Sequence, residues 1–374
     1  CQTLCFVAAQ NVNSGHTFGR KATTQARRTQ AEGRRKAKMP PFLGANILYT
    51  GAMENYCDHI PMEETFTLFG PDDAGMTSAL FYAFNTVITL QAFGEEALCR
   101  KAFDAARDRC RYFEHVLSRT LPHSDIAMLN AAEGGEVLVR AETYEVLRAA
   151  QHYCAESQGC FDITMGSVVR LWNFAEAHIP RPGEIAAALT HVNWHTLELR
   201  QEGCEHFARL ADPQASIDVG GMAKGYIADK LTATLVALGL ENFIVNLGGN
   251  AVAHGRKPNG ALWRIGLQDP QDKNRVLQGI AVENASAVTS GVYERCFTTQ
   301  GRFYHHILST TTGLPVETDV AGVTIVAPKS LDCDGFSTTL LALGIKRGLA
   351  FVRQHPEITQ AYFVDVNNKI TSAH

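Results

Sequence analysis

The stretch that decides the fold is residues 216–250, SIDVGGMAKGYIADKLTATLVALGLENFIVNLGGN. A glycine pair, Gly220 and Gly221, is followed by apolar residues at helical spacing and then by Gly239, a typical helix stop. The apolar positions of this helix are Ile227, Leu231, Leu235 and Leu238. Residues 243–247 have the composition of a strand, and a second glycine pair follows them. The pattern predicts a glycine turn, a helix and a strand, in that order.

The glycine turn and the start of this helix have the features of an anion site. Glycines let backbone N–H groups come close to a ligand, and a helix N-terminus favours negative charge. Lys224 lies in the predicted first turn, where its ammonium group adds to that effect. The pattern therefore predicts a phosphate contact at Lys224, although an ordinary helix–strand unit with turn glycines has the same local appearance.

A second helix is predicted over residues 334–344, DGFSTTLLALG, with Gly344 as its stop. Asp334 and Thr338 are four residues apart and therefore share one helix face. A carboxylate and a hydroxyl on one turn suit a hard cation such as Mg²⁺, which prefers oxygen ligands. The alternative is that Asp334 only caps the first turn of its own helix. Local sequence does not separate the two hypotheses.

The rest of the chain predicts mixed secondary structure. The pattern indicates a strand at residues 80–93 and helices at 95–117 and 142–156. Further strands are expected near residues 263–268, 279–282, 303–308 and 323–327. Neither the dinucleotide-binding nor the P-loop glycine motif occurs. The predicted fold class is α+β, a single compact domain with mixed and antiparallel sheets and packed helices.

Nine segments, in order, resemble those of the ApbE family of FAD:protein FMN transferases, across residues 80–352. They are FNTVITLQAFG (84–94), SDIAMLN (124–130), GCFDITMGSVVRLWNF (159–174), IDVGGMAKGYIADKL (217–231), VNLGGN (245–250), WRIGLQDP (263–270), VTSGVYERCF (288–297), YHHILSTTTGLP (304–315) and DGFSTTLLALG (334–344). The resemblance implies Mg²⁺-dependent transfer of FMN from FAD to a Ser or Thr hydroxyl of an acceptor flavoprotein, with release of AMP. The implied acceptor is a redox-complex subunit or a flavin-dependent reductase.

The resemblance also implies roles for individual residues. His306 and Asp334 are expected to be catalytic, since His306 has a pKa suited to moving the acceptor proton. The metal ligands are expected to be Asp334, Thr338 and the backbone carbonyl of Gly221. The expected contacts to FAD are Phe84, Cys160, Phe161, Asp162, Asp218, Lys224 and Ile307.

Two positions depart from the family pattern. Relatives usually carry an aromatic residue against the flavin where this chain has Thr120, and they continue the HHIL segment with Asp-Pro where it has Ser309 and Thr310. Two alternative functions therefore stay open. With water as the acceptor, the same site is an FAD pyrophosphatase that forms FMN and AMP; without turnover, it is an FAD-binding protein. An electron carrier with bound flavin is a third, weaker alternative.

Composition narrows the functional class. A net charge of −4 and 19% charged residues give no sign of a nucleic-acid surface, and no apolar stretch is long enough for a transmembrane helix. The ten cysteines are scattered without a metal-binding or disulfide pattern, which favours free thiols and a cytoplasmic location. Cys1 makes a lipid-anchored, periplasmic protein the alternative, as in many relatives. Residues 1–75 are expected to be a basic, disordered extension, and residues 76–374 the flavin transferase domain.

Overall fold

A computed structural model describes residues 47–48 and 65–374. Most of the predicted extension, residues 1–75, lies outside the described residues, and the boundary at residue 76 stays a prediction. Residues 67–69 nevertheless form an edge strand of the main sheet. The predicted α+β class is confirmed, since helices pack on a sheet whose neighbouring strands are all antiparallel.

The main sheet has nine strands in the order β17-β16-β15-β12-β9-β8-β4-β3-β2. Their bounds are β2 Thr67–Phe69, β3 Met76–Ala83, β4 Thr86–Phe93, β8 Asn242–Leu247, β9 Asn250–His254, β12 Ala285–Gly291, β15 Val320–Ala327, β16 Gln360–Asp365 and β17 Ile370–Ala373. The single strand predicted over residues 80–93 was wrong. Phe84 and Asn85 both have positive φ, 53° and 58°, and turn the chain between β3 and β4. Two consecutive positive φ angles are typical of a two-residue hairpin turn. Such turns are usually recognised by Asn, Asp or Gly, and a phenylalanine at the first position does not predict one.

Three small sheets complete the strands. Their bounds are β1 Ile47–Leu48, β10 Trp263–Asp269 and β11 Asp272–Val282 in the first, β13 Cys296–Thr299 and β14 Arg302–His305 in the second, and β5 Glu136–Val139, β6 Leu197–Glu202 and β7 Glu205–Leu210 in the third. The β10–β11 hairpin covers one face of the main sheet, where Trp263 and Ile265 pack against Ile244 of β8. Phe243 and Val245 point to the opposite face, as the two-residue period of a strand requires.

Seven helices occur in the described part of the chain. Their bounds are α1 Glu96–Leu117, α2 Asp125–Asn130, α3 Ala141–Glu156, α4 Gly166–Val169, α5 Pro182–Leu189, α6 Ala223–Ala237 and α7 Ser330–Val352. The helices predicted over 95–117, 142–156 and after Gly221 are confirmed as α1, α3 and α6. Helices α6 and α7 pack against each other and against the sheet strands β9, β12 and β15. This pairing positions the candidate site.

Helix α7 differs from its prediction at both ends. It begins at Ser330, four residues before Asp334, and it continues past Gly344 to Val352. Gly344 has φ 75° and ψ 174°, so it kinks the helix rather than ending it. Asp319 Oδ1 accepts the N–H of Ile345 at 2.9 Å and so caps the second segment.

Two compositional predictions can be compared with the described residues. All seven cysteines among them are free thiols. No helix in this part of the chain is both long and apolar enough to cross a membrane.

Candidate active site

The core of the site is a close antiparallel contact between α6 and α7. The backbone N–H of Gly225 donates to Asp334 Oδ2 over 2.8 Å. A Cβ atom on Gly225 would lie 2.5 Å from the carbonyl oxygen of Ser330 and 2.7 Å from Cβ of Asp334. Only a glycine therefore permits this approach, and the glycine places a buried carboxylate directly against the first turns of α6.

The carbonyl of Gly221 accepts no hydrogen bond from the described residues. Gly221 precedes Met222, the N-cap residue of α6, so its carbonyl lies outside the helix. Gly225 is the third residue of the helix, and its N–H has no partner within it. Asp334 supplies that partner from α7. Gly221 is exposed, so its carbonyl oxygen is available to a ligand.

The three predicted metal ligands present oxygen atoms of the kind that a hard cation binds. Asp334 is 5% exposed and its Oδ2 accepts the Gly225 N–H, while the hydroxyl of the partly buried Thr338 has no hydrogen-bond partner among the described residues. Burial raises the pKa of Asp334, and the charge of Lys224, the Gly225 N–H and the Asn250 side chain act in the opposite direction. A buried carboxylate is stabilised by a cation, and the carboxylate, hydroxyl and carbonyl oxygens suit Mg²⁺. The residues therefore fit the group that the resemblance implies.

The alternative hypothesis for Asp334, that it caps its own helix, was wrong. The helix begins at Ser330, so Asp334 lies beyond the first turn, and its carboxylate accepts from α6 instead. No group of three or more His, Cys, Asp and Glu side chains that could hold a metal occurs in the described residues. The candidate ligand set contains a single carboxylate, together with a hydroxyl and a carbonyl.

Lys224 lies in the first turn of α6, as predicted. Its charge lowers the pKa values of both Asp334 and His306, so the ammonium group lies near both side chains. Arg295 adds a second positive charge, and its backbone carbonyl accepts the N–H of His306 at 3.1 Å. Arg295 lies in the segment 288–297, but no role was predicted for it from the sequence.

His306 is present at the site, but the reason given for its role was wrong. Burial lowers its pKa to about 3, and the charges of Arg295, His305 and Lys224 act in the same direction. The ring is therefore neutral near pH 7 rather than half-titrated. His306 Nδ1 is buried without a hydrogen-bond partner in the described residues, whereas the ring of His305 is held by Nε2, which donates to the Val316 carbonyl over 3.2 Å.

The loop with Cys160, Phe161 and Asp162 lies beside the glycine turn. The ring of Phe161 would be 3.4 Å from a Cβ atom on Gly221, and the N–H of Asp218 donates to the carbonyl of Ile163 at 3.1 Å. Cys160 is partly buried in the same loop. The structure thus brings together two predicted contact segments that are separated by more than fifty residues in the chain.

The Asp162 carboxylate is already engaged by the protein. Its Oδ1 accepts from the N–H and hydroxyl of Thr164 at 2.8 and 2.6 Å, and its Oδ2 accepts the N–H of Trp194 at 3.0 Å. These bonds hold the loop in shape, which is a common role of an aspartate in a turn. A direct contact between Asp162 and FAD stays a prediction.

One carboxylate oxygen of Asp218 is hydrogen-bonded within its own turn, and the other lies close to the guanidinium group of Arg119. Its Oδ1 accepts the N–H of Gly220 at 2.8 Å, and Arg119 Nε lies 3.3 Å from Oδ2. Arg119 is adjacent to Thr120, the position where relatives usually have an aromatic residue. The sequence analysis did not identify Arg119, and only the folded chain places it beside Asp218.

The segment after His306 returns to the same loop. Ile307 is buried, and the Thr310 hydroxyl donates to the carbonyl of Gly159, next to Cys160. Ser309 Oγ accepts the N–H groups of Thr311 and Thr312, both at 3.2 Å, and so stabilises the turn after Leu308.

Phe84 is the predicted site residue that these contacts do not include. Its N–H donates to Glu114 Oε1 at 3.0 Å, which ties the β3–β4 turn to α1. Its positive φ is rare for a phenylalanine and indicates that contacts with the surrounding residues stabilise this backbone conformation. A contact between Phe84 and FAD stays a prediction.

Comparisons with known proteins agree with this architecture. The profile of the ApbE family matches residues 84–363. The FAD:protein FMN transferase of Treponema pallidum is 34% identical over 275 residues, which cover 70% of this chain and 76% of the relative. That of Klebsiella pneumoniae is 32% identical over 280 residues, which cover 74% and 84%.

Solved structures give the same result. The ApbE protein of Thermotoga maritima superposes with a TM-score of 0.73 at 25% identity, covering 83% of this chain and 97% of the other. The flavinyl transferase ApbE of Pseudomonas stutzeri gives a TM-score of 0.70 at 25% identity, with coverages of 82% and 95%. The family profile covers well over half of the chain, and the contacts between its motifs are those described above. The chain therefore belongs to the ApbE family.

Proposed function

We propose that this flavin transferase moves FMN from FAD to a Ser or Thr hydroxyl of an acceptor flavoprotein, in a reaction that requires Mg²⁺ and releases AMP. The observation that carries the proposal is the α6–α7 contact. It presents oxygens of Asp334, Thr338 and Gly221 near the ammonium group of Lys224. A site that combines a cation-binding oxygen set with a lysine at a helix N-terminus suits a pyrophosphate.

The reaction exchanges the phosphoanhydride bond of FAD for a phosphoester bond to the acceptor. The acceptor hydroxyl oxygen forms a bond to the FMN-side phosphorus, while the bond from that phosphorus to the bridging oxygen breaks. AMP leaves with the bridging oxygen, and the hydroxyl proton passes to a base or to the leaving phosphate. Such transfers depend mainly on positioning and on neutralising charge.

The residues of this chain supply those two requirements. Asp334, Thr338 and the Gly221 carbonyl would hold Mg²⁺, which neutralises the pyrophosphate oxygens when it is bound. Lys224 and the glycine-turn N–H groups bind phosphate oxygens directly. Phe161, Cys160 and Ile307 supply apolar surface for the flavin end of FAD.

His306 acts in this proposal as a neutral imidazole. Its unpaired Nδ1 accepts a hydrogen bond from the incoming hydroxyl or, in the other tautomer, donates one to a bound phosphate oxygen. Entry of an anionic pyrophosphate beside Lys224 and Arg295 offsets the positive charges that lower the pKa of His306, and so makes the ring a stronger base.

Two alternatives use the same residues. A pyrophosphatase would admit water in place of the acceptor, and a binding protein would hold FAD without turnover. The set of oxygen donors on α6 and α7 favours a catalytic role, because FAD storage requires no cation at the pyrophosphate.

The experiment is an incubation with FAD, Mg²⁺ and a candidate acceptor, followed by in-gel flavin fluorescence, AMP release and the acceptor mass. The expected result is an acceptor heavier by FMN minus water, with one AMP released for each label. Replacing the acceptor hydroxyl residue by Ala is the control and should prevent labelling. Equal release of FMN and AMP with or without acceptor would indicate the pyrophosphatase, and bound FAD with neither product would indicate the binding protein.

A further inference from the structure

Two contacts join α6 to α7, and the residues that make them are four apart on each helix. They are Gly225 and Asp229 in α6, and Asp334 and Ser330 in α7. A step of four residues keeps side chains on one helix face. Thr338 lies one further step of four along α7, and Gly221 lies in the turn before α6.

Hydrogen bonds join the helices at both contacts. The Gly225 N–H donates to Asp334 Oδ2. Asp229 Oδ1 accepts the N–H of Ser330 at 2.8 Å, and its Oδ2 accepts the N–H of Leu331 at 3.0 Å.

Asp229 therefore provides a helix cap from a different helix. The residue at the N-cap position of α7, Lys329, makes no side-chain capping bond. The first N–H groups of a helix have no partner within it and require one from elsewhere. Asp229 satisfies two of them with one carboxylate.

We propose that Asp229 is a positioning residue that fixes the first turn of α7 against α6 and thereby sets the distance between the Asp334 and Thr338 oxygens and the Gly221 carbonyl. The inference rests on the proposed function, because it assigns those oxygens to Mg²⁺. Asp229 makes no ion pair with any described residue, so an ion pair does not explain why a charged residue is present here. Burial raises its pKa to about 6, so keeping a carboxylate here costs stability. A cost of this kind is typical of residues retained for function.

Two variants and a matched control test the proposal. Asp229→Ala removes both acceptors, whereas Asp229→Asn retains one. The control is Asp365→Ala, because Asp365 Oδ1 likewise accepts two backbone N–H groups, those of Asn367 and Lys369 at 2.8 and 2.9 Å, in the turn between β16 and the edge strand β17.

The measurements are the Mg²⁺ dependence of the thermal midpoint, the KM for Mg²⁺ and kcat with FAD, and amide hydrogen exchange at residues 330–334. Asp229→Ala should weaken Mg²⁺ binding by roughly 10–100-fold, the usual range for residues that orient metal ligands. Exchange at residues 330–334 should be faster, and Asp229→Asn should recover part of both effects. Asp365→Ala should lower the thermal midpoint without changing the Mg²⁺ midpoint.

Two results would overturn the proposal. One is wild-type Mg²⁺ affinity in Asp229→Asn together with unchanged exchange at residues 330–334. The other is an equal loss of Mg²⁺ affinity in Asp365→Ala. If Asp229→Ala does not fold, the Mg²⁺ affinity and the hydrogen exchange of Asp229→Asn test the proposal instead. If the wild type itself does not respond to Mg²⁺, the metal part of the proposed function fails, and hydrogen exchange alone tests whether Asp229 holds the helix.

Discussion

Gly225 and Asp334 belong to different helices, yet the N–H of Gly225 donates to Asp334 Oδ2 over 2.8 Å. The bond orients the carboxylate, and it satisfies an N–H in the first turn of α6 that has no partner within that helix. The contact requires a residue without a side chain.

Gly225→Ala should disrupt the site by separating α6 from α7. Its Cβ would lie 2.5 Å from the backbone of Ser330, which cannot move without moving α7. Overpacking of this kind costs about 1–3 kcal/mol, so denaturant unfolding should occur at a lower concentration and transfer should fall sharply. Gly183→Ala in α5 is the control, since its Cβ would meet no atom within 4 Å. Equal stability in the two variants would contradict the close contact.

Asp334→Asn should abolish transfer and leave the fold intact. The amide oxygen still accepts from Gly225, while the buried charge is lost. Because the folded-state pKa of Asp334 is raised, the ionised form destabilises the protein above its unfolded pKa, so the variant should be at least as stable as wild type at pH 7 in chelator. Mg²⁺ should raise the thermal midpoint of the wild type only. Full transfer by the variant in chelator would remove Asp334 from the proposed ligand set.

Lys224→Met should weaken FAD binding and also slow turnover. One charge-assisted contact to phosphate contributes about 1.5–3 kcal/mol, which corresponds to roughly 10- to 160-fold in Kd. The variant keeps the length of the side chain, so packing changes little. Fluorescence titration of FAD measures the effect, with Lys230→Met as the control, because Lys230 lies further along α6 and pairs with Glu145 at 2.8 Å. If both variants bound FAD with equal affinity, the phosphate of FAD would not be in contact with Lys224.

His306→Gln should reduce the loss of stability in acid. The folded-state pKa of His306 is lowered to about 3, so below its ordinary value only the unfolded chain takes up the proton. The wild type therefore loses this part of its stability as pH falls from about 6.5 towards 3, and the variant does not. Thermal midpoints of both proteins between pH 7 and 4 measure the difference. Parallel curves would mean that the ring is solvated in the folded protein.

Local patterns predicted most secondary structure because helices and strands depend on short-range periodicity. The α6 helix and its stop at Gly239 follow from apolar spacing and one glycine, as do α1 and α3. The predictions were wrong where contacts with residues distant in the chain determine the local structure. The β3–β4 turn needs positive φ at Phe84, and the start of α7 at Ser330 depends on a cap from α6.

The sequence by itself determined the family, the fold class and the residue types of the site. Motifs of fixed spacing are enough for this, because a glycine turn, a helix start and an i, i+4 pair are local features. Only the tertiary structure decided which atoms are available. The free Gly221 carbonyl, the pairing of Arg119 with Asp218 and the neutral His306 each arise from groups far apart in the chain. Hydrogen bonds and burial depend on distances in space, and local sequence does not contain those distances.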